Sequence, residues 1–194
     1  MYNNISDLDR MVAGKLYNSS SEDIARQHED GMYRCERFNK ISVRRAKAKQ
    51  RALEKLIPSA KGKGLAVFAP FYCEYGVNIH VGKGCFVNYN CVFLDVAPIT
   101  LGNEVWIGAN VTLAAPNHPF IAEERLPADY PDGNHDLEYA SPITIKDRCW
   151  ICSGATICGG VAFIPDNNTD ERTFCLDRCG RECSDRWISW SEQI

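Results

Sequence analysis

The stretch VGKGCFVNYNCVFLDVAPITLGNEVWIGANVTL, residues 81–113, sets an apolar residue at Val81, Val87, Phe93 and Ile99, then again at Leu101, Ile107 and Leu113. The same interval of six returns at Ile145, Ile151 and Ile157. A strand repeats every two residues and a helix about every 3.6, so a beat of six belongs to a coil with flat faces. Three faces close one rung of a parallel β-helix, and stacked rungs bury the recurring apolar residue in one continuous core. The residue after the aliphatic is small in Val81-Gly82, Leu101-Gly102 and Ile107-Gly108, and is Asn or Asp in Val87-Asn88 and Leu94-Asp95. That pattern predicts sharp corners at these positions. The strands of an ordinary sandwich rarely keep strict phase over so many hexads.

Outward from this core the pattern changes. Residues 1–60 predict a helical cap, with Ser6 and Ser21 as N-caps and Gly14 and Gly31 as interruptions. Ile24, Met32, Cys35, Phe38 and Ile41 supply an apolar side for one helix; Val43, Ala46, Leu53, Leu56 and Ile57 supply it for the next, which Pro58 ends. Arg44, Arg45, Lys47, Lys49, Arg51 and Lys55 on that second helix predict a solvated basic face. The coil is expected over residues 61–161. Within it, residues 114–141 break the hexads with a polar segment that has four prolines and two of the chain's four histidines. So long an excursion in a compact domain is usually functional, and a regular coil needs one to build a concave surface. Residues 162–194 show a burst of charge and predict a non-repeat tail. Its sudden change of composition suggests an altered reading frame near residue 162. Cys175, Cys179 and Cys183 in that tail are spaced by four without an evident fourth ligand, so no metal site is expected.

With 45% hydrophobic and 24% charged residues over 194 positions, the chain has enough apolar material for one core, and its net charge of −3 gives no reason to expect a nucleic-acid partner. No apolar stretch approaches the roughly 20 residues of a membrane span, and the polar start Met1-Tyr2-Asn3-Asn4 is unlike a signal peptide; the cytoplasm is the expected location. Cys73, Cys85, Cys91, Cys149, Cys152 and Cys158 fall in or beside the hexads, where reduced thiols would pack as small apolar groups.

Several segments together carry a resemblance. Met11-Val12-Ala13-Gly14-Lys15-Leu16-Tyr17, Tyr75-Gly76-Val77-Asn78-Ile79-His80-Val81-Gly82, Asn88-Tyr89-Asn90, Asn117-His118-Pro119 and Pro142-Ile143-Thr144-Ile145 with Trp150-Ile151 closely resemble the maltose and galactoside O-acetyltransferases over about residues 5–161. The resemblance implies a left-handed parallel β-helix with a helical N-terminal cap, assembled as a homotrimer with acetyl-CoA and acceptor sites between subunits. It implies acetyl transfer to a hydroxyl of maltose, glucose or a related sugar.

That chemistry needs a base near neutral pH to take the hydroxyl proton, and an imidazole has a suitable ordinary pKa. His118, in the extruded loop and followed by Pro119, matches the family's catalytic histidine. Asn88, at a corner, matches an asparagine beside the acceptor hydroxyl. The resemblance further places acceptor contacts at Asn18, Ser19, Glu74 and Phe86, with Asn18 and Ser19 where relatives usually have aspartate. It sets Trp150 against the pantetheine arm of CoA and the backbone near Ser153 within hydrogen-bonding reach of that arm. Cys152 stands where relatives carry glycine. Relatives also continue past the equivalent of Val161 with further rungs whose motifs the tail lacks, so a catalytically impaired remnant or binding module is the alternative. A metal-dependent hydratase would need three histidines at rung spacing, which His80, His118 and His135 do not provide.

Overall fold

The computed structural model describes residues 5–130, 133–163 and 175–176. Short parallel strands fall into three sheets, the three faces of a left-handed β-helix. The first face stacks Ala66–Val67, Phe86–Val87, Trp106–Ile107, Trp150–Ile151 and Cys175–Leu176. The second stacks Phe71–Cys73, Cys91–Leu94, Thr112–Ala114 and Thr156–Cys158, and the third stacks Ile79–Val81, Ile99–Leu101, Ile143–Ile145 and Ala162–Phe163. The hexad residues point inward: Val87, Phe93, Ile107, Leu113, Ile145, Ile151 and Ile157 are all buried. Phe93 meets Phe71 of the rung below edge-on, ring centres 5.2 Å apart. Phe93→Ala removes this contact and leaves a cavity between rungs; we expect a loss of about 3–5 kcal/mol, measured by urea unfolding.

Register refines the beat of six. Val81 pairs with Leu101, Val87 with Ile107 and Phe93 with Leu113, so these rungs run two residues longer than three hexads. The extra pair lies between Leu94 and Ile99, which makes Ile99 and Leu101 two inward residues of one strand. Ile145 pairs with Phe163 at the strict three-hexad spacing. Phe163 therefore continues the series Ile145, Ile151, Ile157, and parallel pairing extends beyond Val161. Cys175–Leu176 adds a further pair beside Trp150–Ile151. The rest of the expected tail, including Cys179 and Cys183, lies outside the described residues.

The corners are made differently from the expectation. Left-handed backbone occurs at Gly84, Glu104 and Arg148, and at Asn90, Asn110 and Gly154, two positions past the expected turns. Gly82, Gly102 and Gly108 are needed for another reason: a Cβ at each would overlap the backbone or side chain of the next rung. Corner amides stitch the rungs, with Asn90 Nδ2 donating to Asn110 Oδ1 at 2.7 Å and Asn103 Nδ2 to Asp147 Oδ2 at 3.0 Å. The buried thiols do likewise, Cys85 Sγ donating to Gly102 O at 3.0 Å and Cys91 Sγ to Gly108 O at 3.1 Å. Cys73, Cys85, Cys91, Cys149 and Cys158 are free thiols, whereas Cys152 is disulfide-bonded rather than reduced.

Helices α1 (Asp7–Val12), α2 (Glu22–Lys40) and α3 (Ala46–Leu56) form the cap. Ser6 caps α1 by accepting the Asp9 N–H at 3.1 Å. Ser21 precedes α2 without a side-chain cap bond and donates instead to Asp23. Ile24, Cys35 and Phe38 turn inward as expected, but Met32 and Val43 are exposed. Gly31 does not interrupt α2. It sits in mid-helix where a Cβ would strike the Glu74 carbonyl, so it lets the helix lie directly on the coil.

Candidate active site

The excursion between rungs is anchored by backbone pairing. Pro116–Asn117 pairs antiparallel with Leu137–Ala140, and the other edge of Leu137–Ala140 pairs with Tyr17–Asn18 of the cap. This three-stranded sheet fixes the two ends of the excursion to each other and to the cap. Asn18 reinforces it: its Oδ1 accepts the Asp136 N–H at 3.1 Å and its Nδ2 lies 3.0 Å from His135 Nδ1. Ser19 Oγ donates to Asp136 O at 3.1 Å. Both cap residues expected at the acceptor thus fasten the loop that bears the histidine.

His118 follows the Pro116–Asn117 strand and remains half exposed, its Nδ1 3.7 Å from Glu138 Oε1. The other carboxylate oxygen, Glu138 Oε2, accepts a 2.8 Å hydrogen bond from the hydroxyl of Tyr17. Tyr17 is buried, and desolvation together with the Glu138 carboxylate pushes its phenol well above the usual range, so it remains a donor. The order Tyr17, Glu138, His118 thus sets one imidazole nitrogen beside a carboxylate that a buried phenol holds. Glu138 and Tyr17 escaped the sequence reading as chemical residues. Their signal was the strand pairing of Tyr17 with Glu138, which single-sequence periodicity does not reveal.

Glu74 lies on the cap side of the same region. Burial first, then the charges of Asp95 and Glu138, push its carboxyl up to about 7. Asp95 is fully buried; its Oδ1 accepts the N–H groups of Glu74 at 3.1 Å and Tyr75 at 2.9 Å, and its carbonyl accepts Asn78 Nδ2 at 2.7 Å. Asp95, within the inserted stretch, therefore holds the turn that carries Glu74.

A second recess, of about 640 Å³, opens on the first face. Phe86, Asn88, Trp106 and Trp150 line it together with Arg148 and Gly108. Phe86, Trp106 and Trp150 are register partners on successive rungs, which aligns their side chains on the outer surface. Trp106, absent from the sequence expectations, is more than half exposed and packs edge-on to Phe86 at 6.5 Å. Asn88 does not carry the left-handed backbone of that corner, which falls at Asn90. Its Oδ1 accepts the Tyr89 N–H at 2.8 Å. Ser153 stands outside the recess lining and accepts the Ala109 N–H into its hydroxyl at 3.1 Å.

The expected residues thus form two groups within the chain. His118, Glu74, Asn18 and Ser19 gather with the loop and cap, while Phe86, Asn88 and Trp150 share the aromatic recess, whose lining does not include His118. Among the described residues no helix is long and apolar enough to cross a membrane, and no group of three or more His, Cys, Asp or Glu is placed to hold a metal ion.

Comparison with known proteins agrees with this architecture. Residues 10–62 match the maltose acetyltransferase hexapeptide capping motif. The galactoside O-acetyltransferase of Escherichia coli is 30% identical over 165 residues, covering 85% of this chain and 76% of that protein. Among solved structures, a maltose O-acetyltransferase from Clostridium difficile is 32% identical with a TM-score of 0.72, covering 81% of this chain and 80% of the other. A hexapeptide-repeat acetyltransferase from Vibrio cholerae complexed with acetyl-CoA is 26% identical with a TM-score of 0.70, over the same shares.

Proposed function

The chain belongs to the hexapeptide-repeat sugar O-acetyltransferases, and from that premise we propose that it transfers the acetyl group of acetyl-CoA to a hydroxyl of maltose, glucose or a related sugar, with His118 as general base. The observation that carries this reading is the Tyr17–Glu138–His118 relay. His118 takes the acceptor hydroxyl proton as the oxygen attacks the thioester carbonyl. Glu138 keeps the ring oriented and stabilises the imidazolium that forms, while Tyr17 holds Glu138. The tetrahedral intermediate collapses with loss of the CoA thiolate, and the imidazolium proton goes to that sulfur. Backbone amides hold the oxyanion, and no covalent enzyme intermediate is needed. Glu74 and Phe86 contact the acceptor beside Asn88. Asn18 and Ser19 act by fixing the loop.

The division of the site residues supports a homotrimer in which the aromatic recess of one subunit meets the histidine loop of its neighbour. The exposed Trp106 and the half-buried Phe86, aligned on one face, suit a surface that a second subunit and the pantetheine arm would cover. In this arrangement Trp150 packs on CoA and Ser153 lies at the channel corner. Trp150→Ala is expected to weaken CoA binding about tenfold in a calorimetric titration, or ~1.4 kcal/mol.

The test is mass-spectrometric detection of acetylated product from acetyl-CoA with maltose, glucose and galactosides, alongside the mass of the assembly in solution. Product with one of these sugars supports the reading. A folded chain that acetylates none of them, or an active monomer, overturns the corresponding part.

A further inference from the structure

Glu74 and Asp95 are neighbouring carboxyls, linked by the Glu74 N–H on Asp95 Oδ1 at 3.1 Å, with unequal surroundings. Asp95 has no solvent exposure, and its Oδ1 is held by the Glu74 and Tyr75 N–H groups. Burial pushes the Asp95 carboxyl up, and those donors oppose it by favouring the anion. Glu74 has no such donors: its Oε2 is buried without a hydrogen-bond partner, as is Asp95 Oδ2. Two anions this close in a desolvated site repel, so the carboxyl with fewer donors is the one that keeps its proton. The other charged and titratable groups around Glu74 do not reverse this. Glu138 adds negative charge from the loop, Tyr17 and Tyr75 are neutral phenols, and Asp9 of α1 shares a recess with Tyr75. From α2, His28 lies tilted to the Tyr75 ring at 5.6 Å and the Arg34 guanidinium donates to the Tyr75 carbonyl at 3.1 Å, while the Cys35 and Cys73 thiols beside Asp95 bring no positive charge.

We propose that Glu74 meets the acceptor as a neutral carboxylic acid that donates a hydrogen bond to a sugar oxygen, and that Asp95 is the positioning residue that holds it in that state. This deepens the acetyl-transfer reading and rests on it for the acceptor. Asp95 acts twice: its side chain fixes the Glu74–Tyr75 turn, and its charge keeps the neighbouring proton in place. A donor at this point distinguishes acceptors presenting a ring or glycosidic oxygen from those lacking one, because an unpartnered acid in the closed site is costly.

Three variants separate the two roles. In Asp95→Asn the turn keeps its acceptor oxygen but loses the charge, so the Glu74 proton is held less firmly. We expect the alkaline decline of kcat/KM for the sugar to begin about one pH unit lower, and KM for the sugar above pH 7 to rise about tenfold while KM for acetyl-CoA stays unchanged. Glu74→Gln, a permanent donor of the same shape, should keep a low sugar KM and lose the alkaline decline. In the double variant Glu74→Gln/Asp95→Asn the Asp95 change should no longer matter. A carbon-13 carboxyl NMR titration of Glu74, in the parent and in Asp95→Asn, needs no turnover. It should show the Glu74 titration near 7 moving down in the variant. Titration of Glu74 in the ordinary range near 4 in the parent, or a double variant as impaired as Asp95→Asn alone, overturns the proposal. If no sugar is acetylated, the acetyl-transfer reading fails while the NMR titration still decides whether Asp95 governs the Glu74 proton.

Discussion

His118→Ala is expected to lower kcat by about 10²–10⁴-fold, the usual contribution of a positioned general base, with little change in KM for acetyl-CoA. The ring is half exposed, so thermal stability should stay within ~1 kcal/mol of the parent. Glu138→Gln should cost at least ~10-fold although the ring is intact, because the amide neither stabilises the imidazolium nor fixes its tautomer. Tyr17→Phe should cost less, since it removes one donor to Glu138 and leaves the carboxylate in place. The graded order, with His118 largest and Tyr17 smallest, is what a relay requires. It is read as initial rates of acetylated sugar formation at saturating acetyl-CoA. Equal losses at Tyr17 and His118 would point to a collapsed loop, and an active His118→Ala enzyme would remove the histidine from the mechanism.

The coil was legible because its core has one side chain per face and a fixed interval, so Val81, Val87 and Phe93 announce it without any knowledge of neighbours. The extra residues around Asp95 were not, since their purpose is to reach the Glu74 turn twenty positions earlier through hydrogen bonds. His118 stood out by its place in a long polar excursion and by resemblance. Glu138 and Tyr17 are 121 positions apart and meet only across an antiparallel pairing between cap and loop, which local pattern cannot encode. The glycines show the same limit. Gly82, Gly102 and Gly108 were read as turn formers, yet what requires them is the distance to the next rung. Phe163 shows the opposite case: the beat of six was present in the sequence, and the charged residues beyond it masked its continuation.

Gly31→Leu should be the most damaging single change in the cap, and it should be felt at the acceptor. A Cβ at Gly31 would overlap the Glu74 carbonyl oxygen and stand 2.8 Å from the Tyr75 Cα, both backbone atoms of the coil that have no rotamer to yield. Replacing a mid-helix glycine ordinarily gains ~1 kcal/mol from helix propensity. Here that gain is outweighed, because α2 must lift away from Phe71 and Tyr75 and forfeit the burial of Cys35 and Phe38 along its inner side. We expect a net loss of about 2–4 kcal/mol in denaturant unfolding. Because the same displacement moves the backbone that carries Glu74, the KM for the sugar should rise at temperatures where the variant is still folded, while affinity for CoA at the distant aromatic recess is retained. Tyr33→Ala, on the exposed side of the same helix, should change neither quantity beyond ~0.5 kcal/mol. A Gly31→Leu protein as stable as the parent would mean that the cap helix does not rest on the Glu74 turn, and would detach the cap from acceptor recognition. A variant that loses stability but binds sugar normally would confine Gly31 to packing and leave Glu74 positioned by Asp95 alone.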